Sequence, residues 1–252
     1  MIWTVTKWGR VACILLAGSC LLAVAADPQV GSYEAGVAAF KERRADSPSP
    51  PEGVRETMQE AADALKQAMP APGLKVGARA PEFTLGDEHG APVSLQAALK
   101  HGPVILTFYR GGWCPYCSAE LNALQQSTEA FSRYAASILA ITPQKLDKSA
   151  EQQAAASFEF PLLSDLNGAV MKAYNVYFEL PQDLYELYRD QFNFDVMEYN
   201  GDGRKGLPVP GTFVIDTNGI IRAAFADTDY KLRMEPAEIL KALEALQGPP
   251  TP

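Results

Sequence analysis

The chain has 252 residues, enough for one domain with an extension or for two small domains. Its hydrophobic share of 47% and charged share of 21% are ordinary for a globular protein. The formal net charge is −8, and no stretch of the sequence is basic enough to offset it. We therefore expect no nucleic acid as the main partner, because binding phosphates requires a positive surface.

The first 26 residues have the pattern of an export signal. Lys7 and Arg10 supply a positive start, residues 11–24 are apolar, and residues 23–25 read Ala-Val-Ala, the small-x-small pattern of a cleavage site. The apolar run is shorter than the ~20 residues that span a bilayer comfortably. We therefore expect cleavage, an exported protein in the bacterial periplasm, and no stable membrane span after processing.

A second interpretation of this segment is a lipoprotein signal, because residues 17–20 read Ala-Gly-Ser-Cys and resemble a lipobox. Lipidation at Cys20 ranks below cleavage, since the apolar run continues for six residues past it, where a lipidated mature protein normally turns polar. An uncleaved anchor ranks third.

The positions of the four cysteines limit which thiols are available for disulfide or redox chemistry. Cys13 and Cys20 lie in the signal segment, which leaves only Cys114 and Cys117 in the mature chain. A scaffold stapled by disulfide bonds is thereby excluded, and so is a resolving cysteine elsewhere in the same chain.

Residues 27–74 are interpreted as a helical extension with a Ser-Pro-rich linker, because apolar side chains recur at helical spacing on either side of it. Residues 75–248 form the main domain. There, a buried-type strand at 104–109, a helix from about 115 to 134 and a second strand at 138–141 make a βαβ unit with parallel strands.

The end of the main domain predicts a hairpin and a closing helix. Strands at 211–216 and 220–226 flank Asp-Thr-Asn-Gly, and Asn-Gly is a strong hairpin signal. Pro236 and Gly248 then bracket a helix at 237–246. This order predicts an α/β, thioredoxin-like fold, with a central mixed sheet flanked by helices and the helical N-terminal extension attached.

Residues 177–206 interrupt this pattern. They predict an aromatic amphipathic helix followed by a loose loop at 200–206. Core packing is the first interpretation of this insertion, and a substrate-facing flap is the alternative.

Residues 108–117 read FYRGGWCPYC and place Cys114 and Cys117 where the first strand meets the helix. A helix N-terminus offers unpaired N–H groups and a partial positive charge, which stabilise a thiolate. One thiolate attacks a substrate, and the second thiol, one turn on, resolves the resulting sulfenic acid or mixed disulfide. Thiol redox chemistry is therefore the first interpretation of the pair.

Other uses of a Cys-x-x-Cys pair fit less well. Structural zinc needs four ligands, and His89 and His101 do not form a second pair. Covalent haem would need a histidine at position 118, which is Ser118. A purely structural disulfide over so short a loop removes little chain entropy. We expect no metal and no other cofactor.

Pro210 opens the strand that is expected beside the dithiol. A cis peptide bond before it would place a backbone edge next to the sulfurs. The alternative is an ordinary strand-initiating proline.

Five short segments of the main domain carry a familiar pattern: 77–85 (GARAPEFTL), 93–95 (VSL), 108–110 (FYR), 160–165 (FPLLSD) and 213–216 (FVID). Together they resemble the alkyl hydroperoxide reductase and thiol-specific antioxidant (AhpC/TSA) branch of the thioredoxin superfamily, and in particular its peroxiredoxin-like proteins with a Cys-x-x-Cys. The resemblance covers about residues 75–247.

The resemblance to peroxiredoxins implies one assignment of the two thiols. It puts Arg110 at the family's proline, Cys114 at its threonine and Cys117 at its peroxidatic cysteine. Glu120 matches a glutamate common at that offset, whereas the peroxidatic arginine falls on Pro210 and is absent. Arg110 is then the only nearby guanidinium that we expect, either as a substitute donor and thiolate stabiliser or as a surface charge on the approach loop.

The similarity to thioredoxins implies the opposite assignment. Trp113 and the Cys-Pro-Tyr-Cys that follows it match, and so does Pro210. The buried aspartate of thioredoxins falls on Thr107 or Phe108 and is missing. Here Cys114 is the nucleophile and the second cysteine resolves.

The expected function is a thiol-dependent peroxidase that reduces small hydroperoxides through a disulfide between its catalytic cysteines. The alternatives are a periplasmic protein-disulfide reductase and, from another class, a non-catalytic binding or scaffold protein on the same fold. A thioredoxin-like thiol donor is implied as partner, because the periplasm is oxidising. The expected supporting residues are Arg110, Trp113, Glu120, Pro210 and Thr212.

Overall fold

The computed structural model describes residues 29–247. The expected export segment at 1–26, with Cys13 and Cys20, lies outside the described residues, and so does Gly248.

Two helices precede the main domain, α1 (Tyr33–Arg43) and α2 (Glu52–Ala68). Ser32 caps α1, because its side chain accepts a hydrogen bond from the backbone N–H of Ala35. The expected helical extension is therefore present. No helix in the described part of the chain is long and apolar enough to cross a membrane.

The described residues contain one large sheet of seven strands and a separate two-stranded ribbon. In chain order the strands are β1 (Thr84–Gly86), β2 (Pro92–Ser94), β3 (Val104–Phe108), β4 (Ser137–Thr142), β5 (Leu162–Ser164), β6 (Tyr177–Glu179), β7 (Gly206–Pro208), β8 (Gly211–Ile215) and β9 (Ile221–Ala226). The large sheet has the order β2-β1-β5-β4-β3-β8-β9, and β6 pairs with β7 in the ribbon. Strands β3, β4 and β5 are parallel, and the other pairings are antiparallel.

Helices cover both faces of the large sheet. They are α3 (Leu95–Leu99), α4 (Pro115–Gln126), α5 (Thr128–Ser132), α6 (Leu146–Ala156), α7 (Ala169–Ala173), α8 (Gln182–Phe192), α9 (Val196–Tyr199) and α10 (Pro236–Leu246). Every residue of β3 is buried, which is why this strand is a continuous apolar run and does not alternate. The predicted mixed sheet flanked by helices, with the hairpin β8–β9 and the closing helix α10, is confirmed.

The helix predicted from about 115 to 134 is in fact two helices, α4 and α5, separated at Ser127. The Ser127 hydroxyl donates to the carbonyl oxygen of Ala123 at 2.8 Å and accepts the N–H of Gly31 at 2.9 Å. A Cβ on Gly31 would lie 2.4 Å from that same carbonyl oxygen, so only glycine fits here. Ser127, between α4 and α5, therefore anchors the start of the extension to the main domain.

The insertion at 177–206 is more ordered than its sequence indicates. The predicted aromatic helix is present as α8, and Tyr185, Leu187 and Tyr188 on it are buried. The expected loose loop is held by Asn200, whose side-chain amide donates to the carbonyl oxygens of Arg204 and Gly206.

Candidate active site around Cys114 and Cys117

The two cysteines lie at the start of α4, directly after the loop that leaves β3. Cys114 is the N-cap residue, with φ −90° and ψ 114°, and Pro115 occupies the first helical turn. Proline suits this position because its missing N–H has no partner there in any helix. Cys114 therefore sits at the positive end of the helix, as the sequence predicts.

The two thiols differ in their access to solvent. Both are free thiols; Cys114 is 2% exposed and Cys117 0% exposed. Cys114 lines an open pocket of about 800 Å³, whereas Cys117 packs in the core between α4 and the sheet. The aromatic residues of this pocket are Phe40, Trp113, Tyr116, Tyr188, Phe192, Phe194 and Tyr230.

The two thiols also differ in acidity. The pKa of Cys114 is lowered to about 6, chiefly because the Cys117 thiol donates a hydrogen bond to its sulfur; burial raises this pKa, and nearby Arg110 and Arg233 lower it. The pKa of Cys117 is raised well above its ordinary value, first by burial and then by its bond to Cys114. The thiolate at neutral pH is therefore Cys114, and Cys117 holds the proton.

Arg110 lies in a cage of three aromatic rings. Its guanidinium carbon is 4.7 Å from the ring centroid of Tyr230, 4.8 Å from that of Trp113 and 5.7 Å from that of Tyr188. Its Nη2 donates to the Tyr188 hydroxyl at 2.6 Å. Within residues 29–247, no carboxylate forms an ion pair with this guanidinium, so its charge beside Cys114 is uncompensated.

The loop between β3 and Cys114 is fixed by close contacts. Gly111 has φ +147°, and a Cβ there would lie 2.4 Å from Nε1 of Trp113. The N–H of Gly112 donates to Oε1 of Gln144 at 3.0 Å, and Nε2 of Gln144 donates to Gln152 at 3.0 Å. Gly111 and Gly112 thus permit the close approach of Trp113 and Gln152, and these contacts fix the rim of the pocket.

A second charged group lies beneath Cys117. The buried Glu120 accepts a hydrogen bond from Nε of Arg233 at 2.5 Å through its Oε2. Its Oε1 accepts from the hydroxyls of Thr107 at 3.0 Å and Thr212 at 3.2 Å, residues that face each other across β3 and β8. Glu120 and Thr212 therefore belong to one network, in which Thr107 stands on the strand where thioredoxins carry an aspartate.

Arg233 extends this network to the sulfur. Its Nη2 donates to Sγ of Cys117 at 3.3 Å, and its Nη1 donates to the carbonyl oxygens of Tyr230 and Leu232 at 2.6 and 2.7 Å. The expectation that Arg110 is the only nearby guanidinium is therefore wrong.

Sequence reasoning missed Arg233 because 116 residues separate it from Cys117 and no motif surrounds it. The available signal was Glu120, which lies one helical turn from Cys117 on a face that must be buried. A buried carboxylate requires a cationic or hydrogen-bonding partner.

The cis peptide bond considered before Pro210 is not present in the structure. The peptide bond before it is trans, as are all peptide bonds in the described residues. The chain runs extended from β7 through Val209, whose N–H bonds to Val176, into β8, so no reversal requires a cis bond. Pro210 lines an apolar cavity of about 330 Å³ that also includes Arg110.

No group of three or more His, Cys, Asp or Glu side chains between residues 29 and 247 is arranged to hold a metal ion.

Comparisons with known proteins show which family the chain belongs to. A sequence model of the AhpC/TSA family matches residues 76–224. Alkyl hydroperoxide reductase E of Mycobacterium tuberculosis is 33% identical over 155 residues, which cover 60% of this chain and 84% of that protein. Chloroplastic peroxiredoxin Q of Sedum lineare is 29% identical over 174 residues, which cover 68% of this chain and 78% of that protein.

Among solved structures, peroxidoxin BcpB from Mycobacterium tuberculosis matches with a TM-score of 0.55 and 26% identity, over 69% of this chain and 98% of that one. A bacterioferritin comigratory protein of Xanthomonas campestris, 22% identical with a TM-score of 0.50, shares the fold over 65% of this chain and 91% of that one. The chain belongs to the AhpC/TSA family and is a peroxiredoxin-like enzyme of the thioredoxin superfamily.

Proposed function

We propose that the protein reduces hydroperoxides with Cys114 as the attacking thiolate and Cys117 as the resolving thiol. One observation carries this assignment: of the two sulfurs, Cys114 is the one that lines the open pocket and has a low pKa, about 6. Cys117 lies behind it in the core with a raised pKa. The thiolate is the reactive form of cysteine, so the accessible, acidic sulfur attacks.

In the first step, the Cys114 thiolate attacks one oxygen of the hydroperoxide, and the O–O bond breaks. Cys114 becomes a sulfenic acid, and the departing alkoxide takes up a proton and leaves as an alcohol, or as water when the substrate is hydrogen peroxide. Arg110 lines the pocket and its Nε has no hydrogen-bond partner among the described residues. We assign it to polarising the O–O bond and stabilising the thiolate.

In the second step, Cys117 attacks the sulfenic sulfur of Cys114, a disulfide forms and water leaves. An external thiol then reduces this disulfide and restores the pair. In the exported compartment expected from residues 1–26, we propose a thioredoxin-like thiol donor as the source of these electrons, because that compartment does not maintain thiols in the reduced state.

A second candidate function is protein-disulfide reduction. Its favouring observation is that the pair has the thioredoxin arrangement, with the acidic cysteine first and the buried one second. Against it, Cys114 is 2% exposed at the bottom of a pocket bordered by Pro48, Pro50 and Phe192. A folded protein substrate has little room to reach the sulfur there.

The test uses the protein without residues 1–26 and its Cys114→Ser and Cys117→Ser variants. Cumene hydroperoxide or hydrogen peroxide is supplied with dithiothreitol, and insulin is supplied in a separate assay. We expect peroxide turnover, at least about a thousandfold lower in Cys114→Ser. With dithiothreitol left out, we expect Cys117→Ser still to consume one equivalent of peroxide. Single-turnover consumption by Cys114→Ser, and none by Cys117→Ser, would reverse the assignment. Turnover of insulin without turnover of peroxide would favour the second candidate.

A further inference from the structure

Two residues outside the segment that matches the AhpC/TSA family pack against each other near Cys117. Arg233 follows that segment in the chain, and Tyr33 precedes it. The attack by Cys114 on a peroxide uses neither of them, yet both are buried.

We propose that Arg233 is a catalytic residue of the second half of the cycle, in which it stabilises Cys117 as a thiolate, and that Tyr33 positions it. The proposal rests on the proposed function, because it takes Cys114 as the sulfur that is oxidised first.

The geometry of Arg233 leaves one of its nitrogens for the sulfur. Its Nε donates to Glu120, and its Nη1 donates to the two backbone carbonyls of Tyr230 and Leu232. The remaining Nη2 donates to Sγ of Cys117 at 3.3 Å. The side chain is 0% exposed, so the guanidinium has one orientation and no solvent competes for its N–H groups.

The charges around Cys117 change during the cycle. In the reduced protein, six charged or titratable side chains face Cys117. Four are negative when ionised, namely Cys114, Glu120, Tyr33 and Tyr109, and two are cations, namely Arg110 and Arg233. The Cys114 thiolate opposes ionisation of Cys117 more strongly than Arg233 favours it.

Oxidation of Cys114 to a neutral sulfenic acid removes that opposing charge and leaves Arg233 in place. An opposite charge in contact with a thiol favours its thiolate. The pKa of Cys117 therefore falls at the step in which this sulfur must attack.

The chemical steps balance with these groups. Cys117 releases its proton, and its thiolate forms the S–S bond while the S–O bond of the sulfenic acid breaks. The departing hydroxide takes up a proton and leaves as water. During reduction, an external thiolate bonds to Cys114, the S–S bond breaks, and its electron pair remains on Cys117 beside Arg233 until that sulfur is protonated.

Tyr33 fixes Arg233 from the side of the extension. Its ring centroid lies 5.7 Å from the guanidinium carbon, and its hydroxyl donates to the carbonyl oxygen of Lys231 at 2.5 Å. The backbone N–H groups of Tyr33 and Glu34 donate to the Glu235 carboxylate at 3.0 and 2.7 Å, and the same carboxylate caps α10. The start of α1 and the segment that carries Arg233 are thereby joined.

The experiment follows the two oxidation steps separately by quenching after rapid mixing with hydrogen peroxide. Dimedone labels the sulfenic acid, alkylation followed by mass spectrometry measures the disulfide, and both rates are recorded from pH 5 to 9. The variants are Arg233→Gln, Arg233→Lys and Tyr33→Leu. Arg222→Gln, which removes an arginine that pairs with Asp216 on the hairpin, is the matched control.

We expect Arg233→Gln to change the rate of sulfenic acid formation by less than about threefold. It should slow disulfide formation by about tenfold or more at pH 7, because the fraction of Cys117 present as thiolate falls. The pH midpoint of disulfide formation should rise. Arg233→Lys should recover part of the rate, Tyr33→Leu should lose about threefold or more, and Arg222→Gln should behave as the unmodified protein. Slower sulfenic acid formation with unchanged disulfide formation in Arg233→Gln would overturn the proposal.

Because Arg233→Gln leaves Glu120 buried without its cation, a second variant and a second assay guard against misfolding. The double variant Glu120→Gln with Arg233→Gln removes both charges, and it should still form the disulfide more slowly than the unmodified protein.

The second assay is reduction of the preformed disulfide by dithiothreitol, which involves no peroxide. Slower reduction in Arg233→Gln, in a protein that does not consume peroxide, would preserve the role of Arg233 and reject the proposed function. Unchanged reduction together with unchanged disulfide formation would reject the role of Arg233.

Discussion

The surroundings of Cys114 and of Cys117 each contain a buried arginine, but the two arginines are held in different ways. Aromatic rings and one tyrosine hydroxyl hold Arg110 beside Cys114 at an open pocket. A carboxylate holds Arg233 beside Cys117 in the core. Rings keep a guanidinium in place without cancelling its charge. A carboxylate holds it more firmly but offsets much of its field.

One helix terminus thus carries two thiols of opposite character. The uncompensated cation lies beside the sulfur with the low pKa, where charge is needed in the resting state. The neutralised pair lies beside the sulfur that keeps its proton until later in the cycle.

The largest expected effect comes from Glu120→Gln, on the Cys117 side. This change leaves Arg233 buried without its counterion, and breaking a buried ion pair costs about 3 to 5 kcal/mol. The free energy of unfolding, measured with urea, should fall by that amount, while Glu129→Gln on the exposed face of α5 should leave it unchanged. Disulfide formation should become faster, since Arg233 then acts on Cys117 without an opposing charge. Slower disulfide formation in a folded variant would contradict this account.

A second change acts on the Cys114 side through the loop. Gly111→Ala places a Cβ 2.4 Å from Nε1 of Trp113 at a positive φ, which should destabilise the protein by about 1 to 3 kcal/mol. It should also raise the pKa of Cys114, because the Arg110 cage is displaced. Gly53→Ala is the control, because nothing lies within 4 Å of the added carbon. Thermal unfolding and thiol titration of both variants test this, and equal stability of the two would be inconsistent with a fixed rim.

A third change removes the uncompensated charge. In Arg110→Met the pKa of Cys114 should rise from about 6 toward its ordinary value, so that the thiolate is lost as pH falls below the new, higher pKa. Peroxide reduction at pH 6.5 should fall by about tenfold. Above about pH 9, where Cys114 is ionised in both proteins, the loss should shrink to the part that comes from polarisation of the O–O bond. Arg189→Met, on α8 but away from the thiols, should change nothing. An equal loss at all pH values would assign Arg110 to binding and not to the thiolate.

The smallest expected effect comes from Tyr188→Phe, which keeps the ring over Arg110 and removes only the hydroxyl. The lost hydrogen bond, 2.6 Å long, should cost about 1 kcal/mol of stability and about twofold in peroxide rate. Tyr188→Ala should cost more, since it also removes the ring. Equal losses in the two variants would mean that the hydroxyl, and not the ring, holds Arg110.

Much of the fold follows from local features of the sequence. The apolar run of β3 predicts a fully buried strand, Pro115 predicts the first turn of α4, and Asn218-Gly219 predicts the hairpin. These features also place both thiols at a helix N-terminus. Each depends on residues close together in the chain, which is why sequence reasoning reaches them.

The two arginine environments depend on contacts between distant segments. Arg233 reaches Cys117 because the segment that precedes α10 lies against α4, and nothing near Arg233 in the sequence encodes that contact. Tyr188 reaches Arg110 because the insertion folds over the loop, whereas helical periodicity gives only the buried face of α8. Sequence motifs alone therefore could not decide whether Cys114 or Cys117 is the attacking sulfur.

The assignment of Cys114 as the attacking thiolate is tested most directly by iodoacetamide alkylation of the reduced protein. The rate at each thiol is measured as a function of pH and resolved by mass spectrometry of the peptides. This assignment predicts that Cys114 reacts with a midpoint near pH 6. Cys117 should stay unmodified until Cys114 has been alkylated or the pH is well above the ordinary thiol pKa. A lower midpoint for Cys117 than for Cys114 would contradict it.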